Sequence, residues 1–96
     1  MSSANKPGLG AAPYIPVDYL AADAAAIQAL MIGEAEPEQQ KRALAFIINN
    51  IAGTYQFNYY PSERDTAFAL GRTFVGQQIV KLTKVNVSTL RSDENG

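Results

Sequence analysis

The chain has 96 residues, no cysteine and no histidine, and sets 8 Lys and Arg against 9 Asp and Glu for a formal net charge of −1. That composition excludes a thiolate nucleophile, an imidazole base, disulfide staples and the ordinary zinc ligand sets. The bases are scattered among the acids, which argues against a nucleic-acid footprint, and no apolar run reaches the roughly 20 residues of a membrane span.

Residues 1–17 read as an extended N-terminal arm. Pro7, Pro13 and Pro16 fix their own φ and push the preceding residues toward extended geometry. Tyr14, Ile15 and Val17 are apolar where a plain tail would be polar. Two destinations are open for the arm, its own core or a neighbouring subunit, and Tyr14 and Ile15 are its candidate partner-binding residues.

A first helix is predicted over 18–32. Asp18 or Asp23 can accept first-turn amide hydrogens, and Ala21, Ala22, Ala24, Ala25 and Ala26 have the highest helix propensity. Leu20, Ala24, Ile27 and Met31 make one apolar face, with Gly33 as the stop. A second helix is predicted over 37–52, with Pro37 at its first position, Glu38 beside the positive end of the dipole and Gly53 closing it. Leu44, Ile47, Ile48 and Ile51 form its stripe, and Phe46 lies off it. The short connection makes the two helices an antiparallel hairpin.

Residues 54–61 hold Tyr55, Phe57, Tyr59 and Tyr60 and end on Pro61, and are expected to form an extended loop with no partner strand. A third helix is predicted over 63–83, with Ser62 and Asp65 placed as a capping pair. Phe68, Val75, Ile79 and Leu82 form one stripe, interrupted by Gly71, and Leu70 and Phe74 lie to one side. Residues 85–96 read as a short C-terminal tail. The expected architecture is all-α: a small three-helix domain over 18–84, built from the hairpin and the third helix, between the arm and the tail.

No constellation in the chain carries chemistry. Glu34, Glu36 and Glu38 could hold a hard cation, yet they stand at a helix junction where acids help the next helix begin. Asn86-Val87-Ser88 matches a glycosylation sequon and, with no secretory leader pattern, is expected to be inert. Gly71 and Gly76 are more telling, because a glycine inside a helix costs up to about 1 kcal/mol relative to alanine. Each marks a close approach; for Gly71 the partner is either another helix of the chain or a neighbouring chain. Asp65 and Arg72 lie two turns apart on one face, and Arg64 either is solvated or reaches the acids of a neighbour. No enzyme activity, cofactor or metal is expected.

The run Arg64-Asp65-Thr66-Ala67-Phe68-Ala69-Leu70-Gly71-Arg72-Thr73-Phe74-Val75-Gly76 resembles the signature of the Bbp19-like family of small tailed-bacteriophage proteins. Members show Thr-Ala-Phe and then Gly-Arg on an apolar helix, preceded by a helix, an aromatic loop and a proline. Gln39 to Leu44 and Tyr55 to Pro61 stand in those places, so the resemblance covers about residues 24–83. Many members carry a second arginine after Gly-Arg, where this chain has Thr73. The resemblance implies no catalysis. It implies a virion-associated accessory structural protein, present in several copies, that binds portal, tail or capsid subunits in the virion and in the host cytoplasm during assembly.

Tyr14, Ile15, Tyr55, Phe57, Tyr59 and Tyr60 are the expected aromatic and apolar contacts, and Arg64, Phe68, Gly71 and Arg72 the signature face. The alternative function is a non-virion phage regulator or inhibitor of a host protein.

Overall fold

The computed structural model describes residues 12–95, so residues 1–11 of the predicted arm lie outside the described part. The chain is all-α. Helix α1 spans Ala21–Met31 and α2 spans Pro37–Phe46, continued by a π-helical segment Ile47–Ile51; α3 spans Glu63–Leu82 and α4 Val87–Asn95, with no strand among the described residues. The predicted class and the three predicted helices are present. The fourth is a correction to the tail: the Asn86 side chain accepts the Thr89 N–H at 3.1 Å, the ordinary asparagine start signal, and a new helix follows.

Local sequence accounts for the helix ends. The Leu20 N–H donates to Asp23 Oδ2 at 2.9 Å, so Asp23 rather than Asp18 satisfies the start of α1. Gln39 Oε1 accepts the Glu36 N–H at 3.0 Å, and Pro37 takes the first position of α2. Ser62 Oγ accepts the Asp65 N–H at 3.3 Å at the start of α3. Gly33 ends α1 at φ +77°, with the Glu34 N–H on the Ala29 carbonyl at 2.9 Å and the Gly33 N–H on that of Leu30 at 3.1 Å, the paired closure that a left-handed glycine permits. Of the junction acids, Glu36 is the residue capping α2, and Glu38 sits in its first turn within 3.7 Å of Lys41 Nζ.

Helices α1 and α2 pack as the predicted hairpin, and α3 meets that hairpin at the π-helical segment, while α4 packs closely on none of the others. The faces that pack are not the predicted ones. Ala26, Ala43 and Ala69 are fully buried, with Ala52 and Phe46 close behind. Leu20, Met31, Leu44, Ile51, Phe68, Val75 and Leu82, all members of the predicted apolar stripes, are exposed, and Phe46, placed off its stripe, is inside.

The reason is geometric. The molecule is only 16 Å across its thinnest extent, no more than two helices at the usual 8–10 Å spacing. The helices touch through alanine, glycine and threonine, which permit close backbone approach, and the bulky side chains are left on the outer faces.

A cross-helix ion pair reinforces the hairpin: Arg42 Nε lies 2.8 Å from Asp23 Oδ1, and the Asp23 side chain is 14% exposed. The hydrogen bond from the Leu20 N–H holds the Asp23 carboxyl below its ordinary range, and Arg42 adds to this against partial desolvation. A carboxyl depressed on folding stabilises above its unfolded pKa and loses that contribution as pH falls through the folded one. Thermal stability is therefore expected to fall on acidification below the ordinary carboxylate range. Asp23→Asn should flatten that part of the profile in melts taken from neutral to acid pH.

Candidate functional site

The signature region of α3 faces two ways. Its inward line is Ala69, Thr73 and Gly76, all buried, at spacings of four and three that put them on one side of the helix. Thr73 Oγ1 donates to the Gly53 carbonyl at 3.1 Å and accepts from Asn58 Nδ2 at 2.8 Å. Arg72 Nη1 donates to the Pro13 carbonyl at 3.0 Å, and Nη2 to Gln56 Oε1 at 3.3 Å. Gly53 lies beneath that guanidinium at φ +59°, where a Cβ would come within 2.9 Å of Arg72 Nη2.

Thr54 follows. Its side chain and its backbone N–H both donate to the Ile48 carbonyl, at 2.7 and 3.1 Å. A Cβ on Gly76 would fall on Thr54 Oγ1 and within 2.9 Å of Ala52 Cβ. At the far end of the loop, Thr66 Oγ1 accepts the Tyr60 N–H at 2.9 Å and donates to the Tyr60 carbonyl at 3.2 Å. Consecutive residues of α3 thus hold the loop 53–60 and the described part of the arm against the helix.

This changes the meaning of several predicted site residues. Arg72 is turned inward as a tie between arm and loop, and it makes no ion pair with Asp65 among the described residues. Thr73, which departs from the resembled signature, is the centre of the clasp. The arm's two open destinations resolve for Pro13, which is buried against its own chain. Tyr14 meets Phe68 edge to face at 6.2 Å, and Ile15 stays exposed.

No other helix of the chain packs on Gly71: among the described residues, a Cβ there would meet nothing within 4 Å. Gly76 is the glycine that answers to close packing.

The loop aromatics divide. Tyr60 is half-buried, while Tyr55 and Tyr59 are 72% and 75% exposed. Phe57 is also exposed and leans against Tyr59, ring centres 6.2 Å apart. Arg64 is exposed. Beside them, the outer side of α3 presents Phe68, Leu70, Phe74, Val75 and Leu82 to solvent. Sequence reasoning missed Gly53, Thr54, Gln56, Asn58 and Thr73, although the small-residue line Ala69, Thr73, Gly76 was a visible signal. It put Val75 and Leu82 on one apolar stripe of the helix and did not single them out as site residues.

What this surface can do is bind apolar protein surface. Tyr and Phe are enriched among residues that anchor interfaces. The open groove between Thr54, Tyr55, Gln77, Val80 and Lys81 brings no acid and base together. No family model, curated protein or solved structure matches the chain, so the resemblance to the Bbp19-like proteins stands on its motif residues alone.

Proposed function

We propose that the chain is a non-catalytic assembly subunit, a virion-associated accessory protein of a tailed phage. It docks on portal, tail or capsid subunits through the exposed loop aromatics Tyr55, Phe57 and Tyr59 and the Leu70 and Phe74 side of α3. One observation carries the docking reading: Phe46 is the only large apolar side chain in the buried core of the described residues, while exposed ones run from Tyr14 to Leu90. A small domain that buries so little apolar surface is marginal by itself, and binding to the folded state stabilises it by mass action. The phage setting is supported by Thr66-Ala67-Phe68 and Gly71-Arg72 on α3 and by the proline-terminated aromatic loop before it.

The test is quantitative mass spectrometry of particles of the encoding phage, washed free of loose protein. The expected result is a fixed copy number relative to the portal. Absence from particles, with abundant protein in infected cells, overturns the virion reading in favour of a regulator or inhibitor of a host protein. A companion variant separates docking from folding. Changing Tyr55, Phe57 and Tyr59 together to serine is expected to leave the helical signal and the melting temperature within a few degrees of the parent, because these side chains are exposed, and to cut incorporation into particles at least tenfold.

A further inference from the structure

The outer side of α3 has a pattern that the described part of its own chain leaves mostly open, with Tyr14 meeting Phe68 at one end. Phe68, Val75 and Leu82 recur every seven residues, with Gly71 and Ile79 between them. Seven-residue spacing keeps side chains on one seam of a helix over several turns. Phe68, Val75 and Leu82 are all more than half exposed or at that level, at 50%, 55% and 69%, and Ile79 is half-buried.

The order along the seam is symmetric. Phe68 and Leu82 stand equally far on either side of Val75, and so do Gly71 and Ile79. We infer that this seam is a self-association face, on which α3 of a second copy of this chain packs antiparallel about a two-fold axis at Val75.

In that arrangement each contact occurs twice, as an isologous interface requires. Phe68 meets Leu82 of the second copy, Val75 meets its own counterpart, and Ile79 enters the open place left by Gly71. This explains a glycine that the single chain does not. It sits in mid-helix at a cost of up to about 1 kcal/mol, and nothing among the described residues lies within 4 Å of where its Cβ would be.

The charges at the ends agree. Glu63 and Asp65 lie in the first turn of α3 with Arg64 between them, one net negative charge, against Lys81 in its last turn and Lys84 just beyond. Antiparallel packing brings acidic ends near basic ends and opposes the helix dipoles, where parallel packing would gather like charges.

The area also suits a pair of modest strength. Two helices of 20 residues, each roughly 30 Å long, bury on the order of 1,000 Å² between them, near the lower limit for a specific interface. This inference is independent of whether the larger assembly is a virion.

The chain has no native cysteine, which gives a clean test on the full-length protein. Sedimentation equilibrium across roughly 1 to 500 μM, a range that covers micromolar dissociation, should show twice the chain mass of 10.4 kDa at the upper end. Val75→Arg puts like charges face to face and should weaken pairing roughly a hundredfold. Gly71→Leu fills the place for Ile79 and should weaken it at least tenfold. Both should keep the parent's helical circular dichroism.

Under mild oxidation, Val75→Cys should cross-link to itself. Phe68→Cys and Leu82→Cys should each stay uncross-linked alone and cross-link when mixed. A monomer at every concentration overturns the inference, as does Leu70→Cys, on the other exposed side, cross-linking as fast as Val75→Cys. Self-cross-linking of Phe68→Cys in preference to its mixture with Leu82→Cys overturns the antiparallel arrangement.

Discussion

Gly76→Ala is expected to destabilise the protein by about 3 kcal/mol, enough to leave much of a small domain unfolded at 37 °C. The added methyl has no soft neighbour to displace. It falls on Thr54 Oγ1 and comes within 2.9 Å of Ala52 Cβ and 3.0 Å of Thr54 Cβ. Relief requires the segment 52–54 to move off α3, which strains the two hydrogen bonds from Thr54 to the Ile48 carbonyl and opens the contact between α3 and the π-helical segment.

The matched control is Gly71→Ala, on the same helix with an open surrounding, which should gain up to about 1 kcal/mol from helix propensity. Thermal and urea melts of the two variants at equal low concentration give the comparison. Thr54→Ala should partly rescue Gly76→Ala, so that the double variant is less destabilised than the sum of the singles. Strict additivity would place the clash elsewhere and sink the explanation.

The second large effect is expected at Thr73. Thr73→Val keeps shape and volume but removes the hydroxyl that donates to the Gly53 carbonyl and accepts from Asn58 Nδ2. Asn58 Oδ1 is already buried without a hydrogen-bond partner among the described residues, so the substitution strands the whole amide, while the Gly53 carbonyl keeps the Gln56 N–H at 3.1 Å. Leaving buried polar groups unpaired costs about 1–3 kcal/mol, and the expectation here is about 2 kcal/mol. Thr73→Ser restores both bonds and should recover most of the loss. Amide hydrogen exchange should show the change concentrated in residues 53–60, since that is the loop the hydroxyl holds. Uniform loss of protection over all helices, with none specific to the loop, would mean that Thr73 serves general packing instead.

Much of the architecture was legible because it is written in local chemistry. Gly33 and Gly53 both adopt positive φ at helix ends, Pro37 opens α2, Ser62 caps α3, and the segment before Pro61 stays out of any strand. Each of these signals acts within a few residues.

Which side of each helix faces inward was not legible. Pattern reading assumes that the largest apolar residues are inside. In α3 the apolar residues are distributed around the axis, and burial goes to Ala69, Thr73 and Gly76 because they let the backbones come close. Arg72 was misread for a related reason: its partners, the Pro13 carbonyl and the Gln56 side chain, are far away in sequence and leave no periodic trace. Asn86 was read only as a sequon residue, although the same side chain is a standard helix start.

The segment Ile47–Ile51 has a consequence for how the chain length can vary. Its turns are wider by one residue: the Ala52 N–H reaches the Ile47 carbonyl at 2.8 Å, five positions back, and the Thr54 N–H reaches that of Ile48 at 3.1 Å, six back. The end of α1 closes the same way one position tighter, from Glu34 to Ala29. The segment therefore accommodates one more residue than α-helical winding would, and its wider turn absorbs that residue with little change in the direction of the exit. Deleting one residue between 47 and 51 should let the turn relax to an ordinary α-helix with Thr54 still against Gly76 and the aromatic loop still on α3. Asn49 and Asn50 are exposed and their identities are free to vary. Among related chains, this stretch should accept exchanges of residue type and the loss of its one extra residue.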